Sequence, residues 1–510
     1  MDKVAVLDFG SQYTQLIARK IRELGVYSEI FPCDVSISML KKEKPSALIL
    51  SGGPQSVYKA RASIPSKEIF KMNIPVLGIC YGLQLMGYLL GGEVIPSQKR
   101  EYGFASLHVL DREGLLSKVK DSGQVWMSHG DRLGRIPPGF IISGKTANSK
   151  AAVIESRKEK LYGVQFHPEV IHTTGGKKIL SNFLFHISGL KAEWRMDSFI
   201  EKKADEIRRL VGDKRVMCGL SGGIDSLVTS LLVHRAVRDN LLCIFVDNGL
   251  LRKGQYKDLM DKFRSQLAIR VIGIDASGLF LKKLRGVTSP ERKRKIIGEL
   301  FIRIFDDQAK KEGDVEFLAQ GTIYPDVIES SPVKGPSSTI KSHHNVGGLP
   351  KRLKLKLIEP LRELFKDEVR VLATELGVND DFILQHPFPG PGLAVRIAGE
   401  VTSERIKIVR EADEILLQEV KKADLYDKLW QAFVILLPVR SVGVMGDRRT
   451  YQRVVVVRLV QSVDGMTANW YPAKPEVLAR ISNRIVNEVD GINRVVYDIT
   501  TKPPGTIEWE

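Results

Sequence analysis

The chain has 510 residues, 43% of them hydrophobic and 27% charged, which is ordinary globular usage and excludes a disordered, collagen-like or low-complexity protein. At about 150 residues per domain this length predicts roughly three domains. The 77 Lys and Arg against 60 Asp and Glu leave a net charge of +17, which points to anionic partners: nucleic acid, anionic lipid or phosphorylated small molecules. Cys33, Cys80, Cys218 and Cys243 form no Cys-x-x-Cys pair, so neither a zinc ribbon nor a dithiol redox motif is expected. No apolar stretch approaches the ~18–20 residues of a membrane span. The early charges of Met1-Asp2-Lys3 do not suit a signal peptide. The expectation is a cytoplasmic protein with no membrane partner.

Up to about residue 189 the chain alternates short apolar runs with helical patterns, as parallel α/β proteins do. Val4 to Phe9, Ala47 to Leu50 and Val76 to Ile79 read as strands, and Tyr13 to Leu24 as a helix ended by Gly25. A second α/β unit begins near Trp194, with a helix over Asp197 to Val211, a strand over Arg215 to Leu220, and strands at Leu242 to Val246 and Phe317 to Ala319. His386-Pro-Phe-Pro-Gly-Pro-Gly392 is neither helix nor central strand and reads as a boundary. A small α+β unit follows: helices over Ser403 to Lys421 and Glu476 to Val489, and strands over Ala432 to Leu437, Val454 to Val460 and Arg494 to Ile499. The expected domains are therefore 1–189, 190–385 and 386–510, two parallel-sheet α/β domains and a small α+β domain.

Two motif matches fail on context. Gly139-Phe-Ile-Ile-Ser-Gly-Lys-Thr146 fits the Walker A pattern, but its apolar middle reads as strand and no helix follows to face a phosphate. Asp8-Phe9-Gly10 matches the kinase metal-binding triplet, yet His234-Arg235-Ala236 lacks the catalytic aspartate.

Pro75 to Ile79 runs as a strand into Gly78-Ile-Cys-Tyr-Gly82, the cysteine version of a nucleophile elbow, with a helix over Leu83 to Leu90. Cys80 then sits at a helix N-terminus, where the dipole favours thiolate. A strand over Leu161 to Phe166 ends in His167-Pro-Glu169. In an extended segment residues two apart share a side, and Pro168 favours that geometry, so Glu169 is placed to orient the His167 imidazole. Cys80, His167 and Glu169 make a nucleophile, base and orienter. The Tyr81 N–H and Gly53, in Ser51-Gly-Gly-Pro54, are candidate oxyanion donors.

These segments resemble the class I glutamine amidotransferase family over residues 1 to about 189. The resemblance implies glutamine hydrolysis through a thioester on Cys80. It also implies a glutamine site at Gln84 and in a loop Ser128-His129-Gly130-Asp131.

Ser221-Gly-Gly-Ile-Asp-Ser226 lies between a strand and a helix over Leu227 to Val237. Two glycines and two serines at a helix N-terminus form a backbone N–H nest for an anion, and Asp225 can cap the helix or reach a magnesium ion. This segment is similar to that of the PP-loop ATP pyrophosphatase family, which implies ATP as substrate, cleaved between its α and β phosphates. Ser221, Gly222, Gly223, Ile224, Asp225, Ser226 and Val246 are then the nucleotide candidates, with Mg2+ arriving with ATP and no organic prosthetic group. Residues 281–299 hold seven Lys and Arg against two Glu, and 341–356 hold five against no acid. Both read as basic loops. Neither contains the aromatic platforms that RNA binding requires, so phosphate handling explains them better than nucleic acid does.

Leu318 to Asp326, Lys341 to Pro350, His386 to Leu393 and Lys502 to Glu508 carry, in order, a resemblance to the glutamine-hydrolysing GMP synthetase family. That resemblance implies XMP, ATP and glutamine as substrates, XMP contacts at Arg294, Lys502, Glu508 and Asp447, and a homodimer through the C-terminal unit. Two other readings stay open: another PP-loop amidotransferase that makes an amide from a carboxylate, and a basic nucleic-acid-binding or regulatory protein.

Overall fold

The computed structural model describes residues 2–59, 62–267, 269–330, 355–462 and 467–510. The Lys341–Pro350 motif and most of the second basic stretch lie outside the described residues. The chain forms two compact units, one built on Met1–Phe199 and the other on Ile200–Ile328 and the described part of Ser342–Glu510.

The first unit holds nine strands among its described residues: β1 (Lys3–Asp8), β2 (Tyr27–Pro32), β3 (Ala47–Leu50), β4 (Val76–Ile79), β5 (Glu93–Val109), β6 (Gly123–Arg135), β7 (Ile141–Lys145), β8 (Val153–Ser156) and β9 (Leu161–Val164). They form one sheet in the order β2-β1-β3-β4-β9-β8-β7-β5-β6. From β2 to β9 the pairing is parallel, and from β9 to β6 it is antiparallel. The expected parallel sheet is thus one half of a mixed one. β3, β4, β8 and β9 are buried throughout, as continuous apolar runs in a covered sheet must be. β5 and β6 escape the sequence reading because their long runs mix charged and apolar residues without a sustained period. The Walker-like segment is strand β7, and no helix follows it.

The second unit opens with a parallel sheet of β10 (Arg215–Leu220), β11 (Leu241–Asp247), β12 (Val271–Asp275), β13 (Val315–Ala319) and β14 (Lys356–Ile358), in the order β12-β11-β10-β13-β14. Its last four strands are β15 (Gln431–Met445), β16 (Arg448–Gln461), β17 (Asn469–Trp470) and β18 (Ile492–Tyr497). β15 and β16 form a long hairpin, and β18 lies parallel on β16. Residues of the expected second and third domains share one apolar cluster, in which Met217 and Ile244 are joined by Leu436 and Ile481.

The first basic stretch is no loop. It lies on the helices Ser277–Leu284 and Pro290–Glu312, the second started by Ser289, whose hydroxyl accepts from the Arg292 N–H, with Pro290 at its first turn. The tail is not free either. Buried Arg458 donates to the carbonyls of Thr500 (3.1 Å), Thr506 (2.9 Å) and Ile507 (2.9 Å) and pairs with Asp498 at 2.6 Å. We expect Arg458→Ala to strand the Asp498 charge and to cost the second unit about 3–5 kcal/mol, read as a lower melting temperature and faster proteolysis after residue 498.

Candidate functional sites

The carboxyl ends of β1, β3, β4 and β9 converge on Cys80. The elbow is possible because a Cβ on Gly82 would stand 2.3 Å from the Leu50 carbonyl oxygen, and one on Gly78 would stand 2.6 Å from the Gly82 carbonyl carbon. Only glycine tolerates either approach. Cys80 itself has φ of 53°, a conformation that costs a non-glycine residue on the order of 1–3 kcal/mol. The surrounding backbone holds it there: its N–H donates to the Val164 carbonyl (2.8 Å), and its carbonyl accepts from the Gln84 N–H (3.2 Å). The thiol is buried, 3.6 Å from the Ser128 carbonyl.

His167 is buried beside it. Nδ1 bonds Glu169 Oε1 at 2.7 Å, the backbone N–H donates to the Trp126 carbonyl at 3.0 Å, and the Tyr13 ring packs edge-on at 4.9 Å between centroids. With Nδ1 committed to Glu169, Nε2 is the nitrogen left for the thiol. The route to this pairing differs from the extended one expected. β9 ends at Val164, and Pro168 and Glu169 lie in a turn. Burial opposes charge on the imidazole, but the charges of Glu169 and Cys80 and hydrogen bonds to both outweigh it, so its pKa stands well above 6.5.

Gly53 and Tyr81 are neighbours, since a Cβ on Gly53 would meet the Tyr81 ring at 3.0 Å. Gln84 donates from Nε2 to the Asp131 carbonyl at 2.7 Å, which makes it a strut between its helix and β6. Ser128 to Asp131 belong to strand β6, not to a loop, and His129 is buried there. Tyr13, Gln165, Thr173 and the Ser128 carbonyl join the site without a motif to announce them. The Thr173 hydroxyl donates to the His167 carbonyl (2.6 Å), and Gln165 Nε2 lies 4.0 Å from the thiol sulfur.

In the second unit, Ser221–Ser226 turns from β10 into the helix Ile224–Val237. Its two serines close the turn on itself: the Ser221 N–H donates to the Ser226 hydroxyl (3.1 Å), and that hydroxyl donates to the Gly223 carbonyl (2.9 Å). Lys366 reaches in from the helix Lys366–Glu375 and sits 2.7 Å from each oxygen of Asp225. It brings to this turn the cation that the motif lacks, from 141 residues away. A cavity of about 720 Å3 opens here, walled by Ser221–Asp225, Lys366, Arg252 and Arg410. His386, Pro387 and Phe388, read as a boundary, are part of its wall. Ser226 is not, and Val246 is buried in β11 away from it. Among the described residues no group of three or more His, Cys, Asp or Glu could hold a metal ion. Both oxygens of Asp225, the expected magnesium ligand, accept from Lys366 in this structure.

The four expected XMP contacts do not all meet. Arg294 touches Glu510 at the tail, and Glu508 pairs with Arg396 at 3.1 Å. Lys502 pairs through its backbone with Ala468. Asp447 is the second turn residue at the tip of the β15–β16 hairpin, with φ of 58° after Gly446 at 54°. Gln431, which binds Glu508, pairs with Val460 at the other end of that ribbon, twelve residues along β16 from Arg448, about 40 Å away at ~3.3 Å per residue.

Comparison with known proteins matches residues 5–187 to the glutamine amidotransferase class-I family and residues 418–509 to the GMP synthase C terminal domain. The chain is 56% identical over 510 residues to the glutamine-hydrolysing GMP synthase of Brachyspira hyodysenteriae, covering 100% of this chain and 99% of that one. It is 57% identical over 518 residues to the enzyme of the same name from Pelodictyon phaeoclathratiforme, with both chains fully covered. Among solved structures, a glutamine amidotransferase from Thermotoga maritima is 19% identical and covers 42% of this chain and 86% of that one, with a TM-score of 0.27.

The fold binds the His167 proton more tightly than the unfolded chain does. Its contribution to stability is therefore fully present below about pH 6.5 and is lost as pH rises through the folded pKa. Glu169→Gln should lower the imidazole titration midpoint seen by NMR. Its loss of melting temperature should be larger at pH 6 than at pH 9.

Proposed function

The chain belongs to the glutamine-hydrolysing GMP synthases, and on that premise we propose a division of labour among its residues. The enzyme is a carbon–nitrogen ligase: XMP, ATP, glutamine and water become GMP, AMP, pyrophosphate and glutamate. The observation that carries the residue assignment is the presence, in one chain, of a buried Cys80–His167–Glu169 constellation and a cavity bordered by Lys366 and Asp225.

In the first unit Cys80 attacks the carboxamide carbon of glutamine. Its proton passes to His167, and Glu169 holds the resulting imidazolium. The carbonyl oxygen becomes an oxyanion against the N–H groups of Gly53 and Tyr81. His167 protonates the departing ammonia, a thioester is left on Cys80, and water drawn by His167 hydrolyses it to glutamate. His129 and the wall of β6 border the glutamine, with Gln84 bracing that wall.

In the second unit the backbone N–H groups of Gly222, Ile224 and Asp225 receive the β and γ phosphates, while those of Ser221 and Gly223 bond the serine hydroxyls. Lys366 passes from Asp225 to the phosphates as ATP enters, because a phosphate outbids one carboxylate for a lysine. XMP O2 attacks the α phosphorus, pyrophosphate leaves, ammonia attacks C2, and AMP departs. A magnesium ion belongs to this step as part of the ATP substrate. Arg294, Lys502 and Glu508 are the proposed XMP contacts within one chain, and Asp447 is left to the hairpin tip.

The same hairpin supports self-association. Val442, Val444 and Tyr451 share one of its faces, and Val444 is 73% exposed and Tyr451 62%. We place a homodimer contact there. The free thiols of all four cysteines suit a reducing compartment, and the proposed location is the cytoplasm. Among the described residues no helix is long and apolar enough to cross a membrane.

Cys80→Ala should abolish GMP formation from glutamine and leave formation from an ammonium salt within about twofold of wild type, since the two half-reactions use separate groups. Lys366→Gln should lower kcat/KM with ammonium by about 100-fold, the worth of one charged phosphate contact in the transition state. Product analysis with both nitrogen sources reads both. GMP from glutamine in Cys80→Ala would remove Cys80 as the nucleophile. Val444→Asp should shift the sedimentation coefficient to that of a monomer.

A further inference from the structure

Beyond the phosphate cradle the second unit contains a buried chain of alternating charges. Arg252, in the cavity wall, pairs through Nε with Asp413 Oδ2 at 2.9 Å. Asp413, also in the wall, faces Arg396 Nη1 at 3.7 Å through its other oxygen, which accepts from the Val434 N–H at 3.2 Å. Arg396 is 0% exposed. It grips Glu508 with two donors, Nη2 to Oε1 at 3.1 Å and Nε to Oε2 at 3.3 Å. Its guanidinium lies 4.4 Å from the Phe433 ring centroid and 5.1 Å from that of Phe388. The chain therefore runs from the cavity wall to the tail with its two middle members buried and its two ends partly so, and its four charges cancel.

Alternation makes such a chain transmit. An anion in the cavity that engages Arg252 weakens the Arg252–Asp413 pair. The Asp413 carboxylate then has one strong partner left, Arg396, and the 3.7 Å limb is the one with slack to shorten. An Arg396 drawn toward Asp413 holds Glu508 less firmly and leaves it to the neutral Gln431, whose Nε2 donates to Oε1 at 2.7 Å. Low surrounding polarity keeps these charges from being screened separately. The two neighbouring rings favour the guanidinium charge where it lies, between the carboxylates.

We propose that Arg396 is a positioning residue that couples phosphate occupancy of the cavity to release of the Glu508 carboxylate toward XMP. This rests on the reading that Glu508 meets XMP. Coupling of this kind is reciprocal: nucleotide tightens XMP, and XMP tightens nucleotide by the same factor.

The test is calorimetric titration of XMP into the full-length enzyme, alone and saturated with α,β-methylene ATP, which resists cleavage between the α and β phosphates. Wild type should bind XMP about tenfold tighter with the analogue present. Arg396→Lys keeps the charge but cannot span two carboxylates, and should reduce that factor below about twofold. Asp413→Asn cuts the chain at constant volume and should do the same, which keeps the test standing if one variant does not fold. A wild-type factor near one overturns the proposal. So does an intact factor in folded Arg396→Lys, including the case where XMP and analogue both weaken equally, which marks a purely structural role. Glu508→Gln separates the two readings. XMP affinity equal to wild type in that variant removes Glu508 from the XMP site, whereas weakened XMP binding with coupling preserved in Arg396→Lys removes only the relay.

Discussion

At the carboxyl edge of each parallel sheet the chain must turn from strand to helix within a few residues, and this close backbone approach is the constraint on which both sites depend. In the first unit the turn around Cys80 brings the backbone at Gly82 against the Leu50 carbonyl so closely that a Cβ would stand 2.3 Å from it. The strained φ of Cys80 follows, and with it a thiol aimed at β6 and His167. In the second unit Gly222, at φ of 80°, makes the equivalent turn. Its serines bond to each other and take up the Ser221 and Gly223 N–H groups, so the turn closes on itself and the N–H groups of Gly222, Ile224 and Asp225 are left for a ligand. One topology thus carries the proposed nucleophile in one case and the proposed anion cradle in the other.

Burial of charge is the second theme. Glu169, Asp413, Arg396 and Arg458 are all nearly inaccessible to solvent, and a lone charge in such a place is costly. Each is paired. The Glu169 pairing raises the basicity of His167, the Asp413 and Arg396 pairings join the cavity wall to the tail, and the Arg458 pairing anchors the tail to β16.

Much of the site is readable locally because its chemistry is built into turns. A glycine-flanked cysteine after an apolar run, a histidine and glutamate two apart, and two glycines among serines before a helix are all contiguous, and close approach of backbone demands those residues. The strands and helices expected from the sequence are legible for the related reason that a covered parallel strand is a short apolar run and a helix repeats every 3.6 residues. β5 and β6 are not, since a long hairpin with mixed faces has no sustained period. The basic run at 281–299 shows the opposite error: charge suggests a loop, while Ser289-Pro290 marks a helix start.

Short-range pattern was enough to nominate a nucleophile, its base and an anion-binding turn, and to show the α/β character of the two sheets, because each depends on neighbours within a few positions. Which distant charges meet was settled by folding. It brought Lys366 to Asp225, carried the His386–Phe388 segment into the cavity wall, turned Gln84 into a strut, set Asp447 at a hairpin tip far from Glu508, and closed the chain from Arg252 to Glu508. Pairings of this kind span tens to hundreds of residues. Their selection rests on burial and Coulomb energy in the folded interior, quantities that no local pattern encodes.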